Sequence, residues 1–450
     1  MERNAELNDT MLFFEQYSAD SKSLHTSFKL AGCGYPAVVI EDDGFLPEDV
    51  MSVYGFFLGD FKKSRGSAAR PRYFNEITVP DYWAVSGTNS NGKIHDKSLE
   101  RGRIFYAEPL HKRLVKIVDW CDERGVVRSS DHYNRYGAIF ARTIFNASGQ
   151  KVNRAYFSAG GREIIVENYV TGDIILNDNG AVHIFRTKTD FILYFFTRTM
   201  FGQSRIFFNS LSTPFFVSQR LGGAGKQDVL FWQEPIGKEI PGNMQIILNG
   251  KASRTANIMV QKRQSYYKLL ALGAKENLVH KLGFIYPFER ENSYRHRALI
   301  CTNSDQIEQC RKLAEGLPQM QFYIAALTEM SSKLMQMEQY ENVVLYPNVT
   351  MKMLDALFEK CDYYFDINHG AQIVSAIRRA FLHNQLIFAF QETAHDKDYV
   401  ADEHIYPAKD VVQMISDIRD IMGDVDSLEW NLKRQHMAAM AETESAYVKL

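Results

Sequence analysis

The stretch from Cys361 to Phe390, CDYYFDINHGAQIVSAIRRAFLHNQLIFAF, decides the fold. It reads as an apolar strand, a tight loop, a helix and a second apolar strand. Short apolar runs bounded by turn residues and joined by a helix mark a parallel sheet, whose strands are buried on both faces. Ile373, Ala376, Ile377, Ala380 and Phe381 recur at helical spacing and define the face that lies on that sheet. The turn Asn368-His369-Gly370 then falls at the carboxyl end of a strand, just before a helix N-terminus. Free N–H groups and the helix dipole suit that place to phosphate, and Asn and Gly equally suit a plain helix start.

The same alternation extends on both sides of this unit. Upstream lie ALICT, a helix near Asp305 to Glu315, QFYIAAL, NVVLYP and a helix at Lys352 to Glu359; downstream, helix-forming sequence runs from about Val411 to Leu450. The polar segment around Pro287 to His296 reads as a boundary. Before it, RIFFNS, DVLFWQE, MQIIL and ANIMV are strand candidates, followed by a helix near Ser265 to Leu272. The chain opens with a helical signal around Met11 to Ala31 and the strand PAVVI, which leads into EDDGFLP. Ligands of open α/β sheets sit beyond the carboxyl ends of strands, so Asp42 and Asp43 either face a cleft or cap the next helix from a solvated turn.

Between these α/β parts the pattern changes. AIFARTIF, NRAYF, EIIVENYV, DIILN, AVHIFRT and DFILYFF are separated by NASG, SAGG, VTGD and NDNG. Runs rich in β-branched and aromatic residues, recurring about every 12 residues between such turns, indicate consecutive antiparallel hairpins. The expected fold class is therefore α/β, with two Rossmann-like lobes facing a cleft and a β-meander inserted in the first. Residues 1–75 and 200–290 form the first lobe, 76–199 the meander, and 291–450 the second lobe with its terminal helices.

Composition narrows the function. A chain of 450 residues, 45% hydrophobic and 24% charged, with formal net charge −2, has no basic surplus for a nucleic-acid backbone. MERNAELNDT lacks the basic and apolar pattern of a secretion signal, and FILYFF is far short of the about 20 apolar residues of a spanning helix. A soluble cytoplasmic protein is expected, peripheral on the cytoplasmic face of the cell membrane at most through a partner. Cys33, Cys121, Cys301, Cys310 and Cys361 show no metal-ligand spacing and read as buried reduced thiols. GGAGK at Gly222 to Lys226 resembles a phosphate loop only superficially: Arg220 and Gln227 stand where that motif requires Gly and Ser or Thr. It reads as a flexible loop near the interlobe cleft. Neither H-E-x-x-H nor G-x-S-x-G occurs.

Several segments together carry a resemblance: IEDDGFLPEDV, RPRYFNEITVPDYW, VENYVTGDIILN, ALTEMSSKLM and FDINHGAQIVSAIRRAF. They are spread over nearly the whole chain. The architecture resembles retaining GT-B glycosyltransferases with a meander insertion, and the segments resemble the GtfB family, partner subunits of the accessory-secretion O-linked N-acetylglucosaminyltransferase. The resemblance implies pairing with a catalytic subunit, GtfA, as a two-plus-two heterotetramer whose meanders meet. It implies an acceptor, the serine-rich repeat adhesin polypeptide, modified on Ser and Thr before export.

It also implies catalytic incompetence. Active relatives carry two glutamates around the late loop and helix, whereas Phe365 to Phe381 contains none and offers Asn368, His369, Ser375, Arg378 and Arg379. They place Arg and Lys near the donor diphosphate; here ALICT leads into Asn303, Ser304 and Asp305, with no cation. No catalytic residue, cofactor or metal is expected. Asn368, His369 and Gln372 are candidate acceptor contacts, with Asp42 and Asp43 on the opposing lobe. The alternative is an active retaining enzyme using a nucleotide sugar, with His369 as electrophile or base. Deleting about residues 80 to 195 is expected to abolish assembly while leaving the α/β lobes folded.

Overall fold

Three sheets organise the chain in a computed structural model that describes residues 10–223 and 227–450. The first has seven parallel strands in the order Val279–Lys281, Thr255–Val260, Asp228–Trp232, Arg205–Phe208, Thr10–Phe14, Ala37–Val39, Val50–Ser52. Thr10–Phe14 pairs directly with Arg205–Phe208, with Leu12 opposite Phe207, so chain from both sides of the meander closes one sheet. TMLFF is buried at every position, as a parallel strand covered on both faces must be. This corrects the helical opening expected from Met11: the helix covers only Ala19–Leu30, where the Ser18 side chain accepts from the Ser21 N–H and fixes its start.

The second sheet is a ten-stranded antiparallel meander, from Trp83–Gly87 to Ala181–Phe185, in strict chain order. At its last hairpin Asp178 pairs with Ala181, and Asn179 and Gly180 take φ of 50° and 94°. Two central residues at positive φ match the right-handed twist of the flanking strands.

Two apolar runs with the composition of strands are helices. DFILYFF lies within Lys188–Arg198, where the Thr187 side chain caps the Asp190 N–H and Phe191, Ile192, Phe195 and Phe196 are buried on one face. Each such side chain contributes about 1.5–3 kcal/mol on burial. MQIIL lies within Gly242–Leu248, which buries Met244 and Ile247. The third sheet is parallel, in the order Val343–Tyr346, Gln321–Ala326, Arg297–Thr302, Tyr363–Asp366, Leu386–Phe390, Ile405–Tyr406. The GGAGK loop is described only at Gly222 and Gly223; residues 224–226 lie outside the described residues.

Core continuity departs from the sequence reading in two places. Phe140, Tyr156, Ile165, Ile174 and Leu176 of the meander belong to the same apolar cluster as Val53, Tyr54, Phe191 and Phe195, whereas Ile94, Ile104, Val115 and Val118 form a separate one. The later meander strands therefore share the core of the first lobe. Excising residues 80 to 195 would strip that core, so the expectation that the lobes survive the deletion is withdrawn. At the other end, the helix Glu444–Val448 leaves the second lobe and docks on the first. Tyr447 is wholly buried, with its ring 4.9 Å from that of Phe28 and its hydroxyl donating to Gly283 O at 2.6 Å. Residues 291–450 are thus not confined to the second lobe, because the exposed edge of the first core needs this cover.

The crossing that brings the terminus back is tight. Phe284 N donates to Met440 O at 3.1 Å and Glu442 N to Phe284 O at 2.9 Å. A Cβ on Gly283 would lie 1.7 Å from Met440 O, so only glycine fits there. Elsewhere the lobes meet through Lys262 and Asp398 at 3.2 Å and Arg263 and Asp402 at 2.7 Å.

All five cysteines are free, with Cys33 half-buried and the others buried. Burial pushes the thiols of Cys301, Cys310 and Cys361 up to about 12, which leaves them unreactive at neutral pH. No helix among the described residues is long and apolar enough to cross a membrane.

Candidate functional site

The strand order of the third sheet reverses between Arg297–Thr302 and Tyr363–Asp366, and crevices at such switch points hold ligands in open α/β sheets. Here the loops that follow the two strands bond to each other. Asn368, 3% exposed, has its Oδ1 2.8 Å from Thr302 Oγ1 and accepts there from Gly370 N at 3.1 Å. Its amide donates to Gly370 O at 3.0 Å and Asn303 Oδ1 at 3.3 Å. A Cβ on Gly370 would meet Asn303 Oδ1 at 1.8 Å, so the two loops are in direct contact.

His395 straps this loop from below. Its backbone N–H donates to Asp366 Oδ2 at 2.7 Å, its Nδ1 lies 2.6 Å from Asp366 Oδ1, and its Nε2 donates to Gly370 O at 2.6 Å. Burial raises the Asp366 carboxyl, outweighing the hydrogen bonds and charge of His395. Burial opposes the charge on His395, but the bond and charge of Asp366 carry its pKa above the ordinary value. The pair therefore holds a proton tightly across a short bond.

The other residues expected here are placed differently. His369 turns outward, with Nε2 2.7 Å from Glu308 Oε2, and lines a surface cavity with Asp305, Lys312 and Lys333. Gln372 is half-buried in the irregular segment after Gly370. The helix begins only at Ala376, after Val374 and Ser375 in left-handed conformation at φ of 44° and 51°. The expected helix N-terminus immediately after Asn368-His369-Gly370 is therefore corrected. Bonds from Asn368 and His395 hold that segment in an irregular path, and a β-branched residue at positive φ marks local strain.

Asp42 and Asp43 stand at a second place, a cavity of about 390 Å³ between the first lobe and the meander. Tyr17 and Ser18 enter from beyond the strand Thr10–Phe14, and Lys116, Arg154 and Tyr169 from the meander. At its floor Glu167, 6% exposed, accepts from the hydroxyls of Tyr54 at 3.2 Å, Tyr156 at 3.4 Å and Tyr169 at 3.1 Å. Lys188 Nζ lies 3.2 Å from the same carboxylate, and the Tyr54 and Tyr156 rings stack at 4.5 Å. Asp43 pairs with Lys116 at 2.7 Å, while Asp42 accepts from Gly44 N at 2.7 Å and burial raises its pKa.

Alternating carboxylates, cations and tyrosines, each already partnered, offer hydrogen bonds to neutral amides and hydroxyls without a surplus of either charge. Asp42 and Asp43 share this cavity, whereas His369 lines a different one. Glu167, Lys188 and the three tyrosines escaped the sequence reading because they converge from strands and helices far apart in the chain. EIIVENYV carried one signal: Glu167 occupies an inward position between apolar neighbours, where a charge needs partners.

Comparison with known proteins agrees along the chain. The GtfB N-terminal domain family matches residues 11–57, the GtfB middle domain 83–186, the GtfB third domain 188–272, and the GftB/GlyA-F C-terminal domain 298–435. A Streptococcus gordonii protein named UDP-N-acetylglucosamine--peptide N-acetylglucosaminyltransferase stabilizing protein GtfB is 42% identical over 426 residues, 94% of each chain. A chain in the crystal structure of a GtfA/B complex bound to UDP and GlcNAc superposes with a TM-score of 0.92 at 41% identity, covering 98% of both chains. The pneumococcal O-GlcNAc transferase GtfA, in complex with UDP and GlcNAc, shares the fold alone, with a TM-score of 0.53 at 10% identity over 98% of this chain and 97% of that one. With its two α/β lobes in a GT-B-like arrangement and relatives matched over nearly its whole length, the chain belongs to the GtfB family of glycosyltransferase-stabilizing proteins.

Proposed function

We propose that the protein is a catalytically inactive subunit that stabilises a GtfA-type O-GlcNAc transferase and presents the Ser/Thr-rich adhesin polypeptide to it in the cytoplasm. The crevice of the third sheet carries this reading. Asn368 and Gly370 pack against Thr302 and Asn303 where a nucleotide sugar would lie, and the turn Asn303 to Asp305 supplies no cation. Loss of two charge-assisted hydrogen bonds to a diphosphate, about 1.5–3 kcal/mol each, weakens donor binding by about two to four orders of magnitude.

The relatives' name supports the stabilising role, and the tyrosine-lined cavity at Asp42 and Asp43 suits an extended peptide rich in amides and hydroxyls. Partner docking through the meander is supported by its edge strand Ala181–Phe185, where Val182 and Ile184 are 64% and 61% exposed. The reading with His369 as electrophile or base loses ground, because that ring faces Glu308 and lines the outer cavity. Calorimetric titration of the isolated chain with UDP-N-acetylglucosamine is the test. No saturable heat is expected, and micromolar binding would overturn the proposal.

A further inference from the structure

We infer that Glu289, Glu359 and His383 form a binding site for a single first-row divalent cation, with zinc the best fit. The site joins the interlobe linker to the second lobe. Glu289 lies on the chain between the first and third sheets, Glu359 in the last turn of the helix Met351–Lys360, and His383 at the C-cap of Ala376–Leu382.

The imidazole is the informative group. His383 is 4% exposed, and its Nδ1 lies 2.8 Å from Arg379 O. A carbonyl can only accept, so Nδ1 carries a hydrogen and Nε2 is the nitrogen turned outward, placed to give its lone pair to a metal. A metal-binding histidine is oriented by just such a bond from its other nitrogen. Nε2 faces Glu289 Oε2 and Glu359 Oε1, each at 3.5 Å, and the three ligand atoms all lie within 4.8 Å of one another.

Those separations discriminate between two arrangements. An N–H···O hydrogen bond to a carboxylate closes to about 2.7–2.9 Å. Ligands about 2.0–2.2 Å from a tetrahedral zinc stand about 3.3–3.6 Å apart, which is the spacing of Nε2 from each carboxylate. Two carboxylates directed at one buried imidazole nitrogen repel each other unless a proton or a metal ion stands between them.

The nearest alternative cation is engaged elsewhere. Arg290 Nε is 3.9 Å from Glu359 Oε2, but its guanidinium is held by Asp362 at 2.7 Å and by Cys361 O. The backbone that carries the ligands is also fixed: Glu289 N donates to Leu382 O at 2.8 Å, and Asn384 Nδ2 donates to Arg290 O at 2.6 Å. The C-terminal ends of both helices point their carbonyls at this region, which favours positive charge. The carboxylate side chains are 52% and 59% exposed, so an ion enters from solvent and water completes the coordination. An imidazole with two carboxylates selects zinc or a neighbouring transition metal over magnesium, which prefers an all-oxygen shell.

The test is calorimetric titration of untagged, chelator-treated full-length chain with zinc chloride, with magnesium chloride as the comparison. About one zinc per chain is expected at a Kd of about 10 µM or tighter, with a rise in melting temperature and no response to magnesium. The double variant Glu289→Gln, Glu359→Gln changes only exposed carboxylates and should weaken zinc binding by about 100-fold while keeping the wild-type circular dichroism. No saturable zinc binding by the wild-type chain would overturn the inference, whatever the variant does. Zinc binding by the folded double variant within about threefold of wild type would overturn it as well, by placing the ion elsewhere.

Discussion

Substituting Gly283→Ala should uncouple the C-terminus from the first lobe. The new Cβ would sit 1.7 Å from Met440 O, 2.5 Å from Met440 Cβ and 2.6 Å from Met440 C, so no side-chain rotation relieves the clash. One of the two backbone segments must withdraw. The bonds at risk are Phe284 N to Met440 O, Glu442 N to Phe284 O, and those that Gly283 O accepts from Tyr447 Oη at 2.6 Å and Gln261 Nε2 at 3.2 Å. At about 0.5–1.5 kcal/mol each they sum to about 2–6 kcal/mol, before any loss of Tyr447 packing against Phe28. A lobe of this size melts about 2–4 °C lower per kcal/mol, so a drop of roughly 5–20 °C is expected in scanning fluorimetry, with new proteolytic cleavage near residues 438–443. Gly242→Ala is the control. It has open space around its Cβ and stands in a helix, so it should be neutral or slightly stabilising. A melting temperature for Gly283→Ala within 1–2 °C of the Gly242→Ala control would refute the account of the crossing.

Three further outcomes follow from the site geometry. Val182→Glu with Ile184→Glu on the meander edge should abolish co-purification with the catalytic partner and leave the melting temperature unchanged, because both side chains are exposed. Tyr169→Phe removes a hydroxyl from the tyrosine-lined cavity and Asp43→Asn the charge that holds Lys116 there, so each should weaken binding of an unmodified serine-rich peptide about fivefold in fluorescence anisotropy. The Asp366–His395 pair should make stability fall with rising pH. Folding raises the His395 pKa, so its contribution is complete below the unfolded value near 6.5 and is lost as pH climbs through the folded value. The raised Asp366 acts in the same direction from lower pH. His395→Gln should flatten the decline in melting temperature above pH 6.5, and an unchanged slope would count against the strap.

Legibility in the sequence followed the physics of each element. Tyr363–Asp366 and Leu386–Phe390 were readable because fully buried parallel strands are apolar at successive positions. The later meander strands were readable from their Asn-Gly and Gly-Gly turns. The earlier ones, such as Asn91–Asp96, NGKIHD, bury only alternate positions and carry polar residues between, so they left little signal. DFILYFF and MQIIL misled because a short apolar run has no periodicity to separate helix from strand. The helix in the opening stretch was placed too early because Ile373 fits its apolar spacing, while the left-handed backbone at Val374 and Ser375 is set by contacts that loop 368–372 makes with distant residues. The cavity at Asp42 and Asp43 was half legible: two acidic residues after a strand drew notice, but the meander side chains that complete it arrive through tertiary packing.

The return of the terminal helix to the first lobe also orders events during synthesis. Phe28 emerges from the ribosome early, and the ring that seals it, Tyr447, follows only after the strands of both lobes have been made. The first core must therefore wait, with its Phe28 edge open, through translation of the second lobe. Chains that stall or are clipped before residue 447 leave the Phe28 edge of that core uncovered, a hydrophobic mark that distinguishes an unfinished subunit from a complete one.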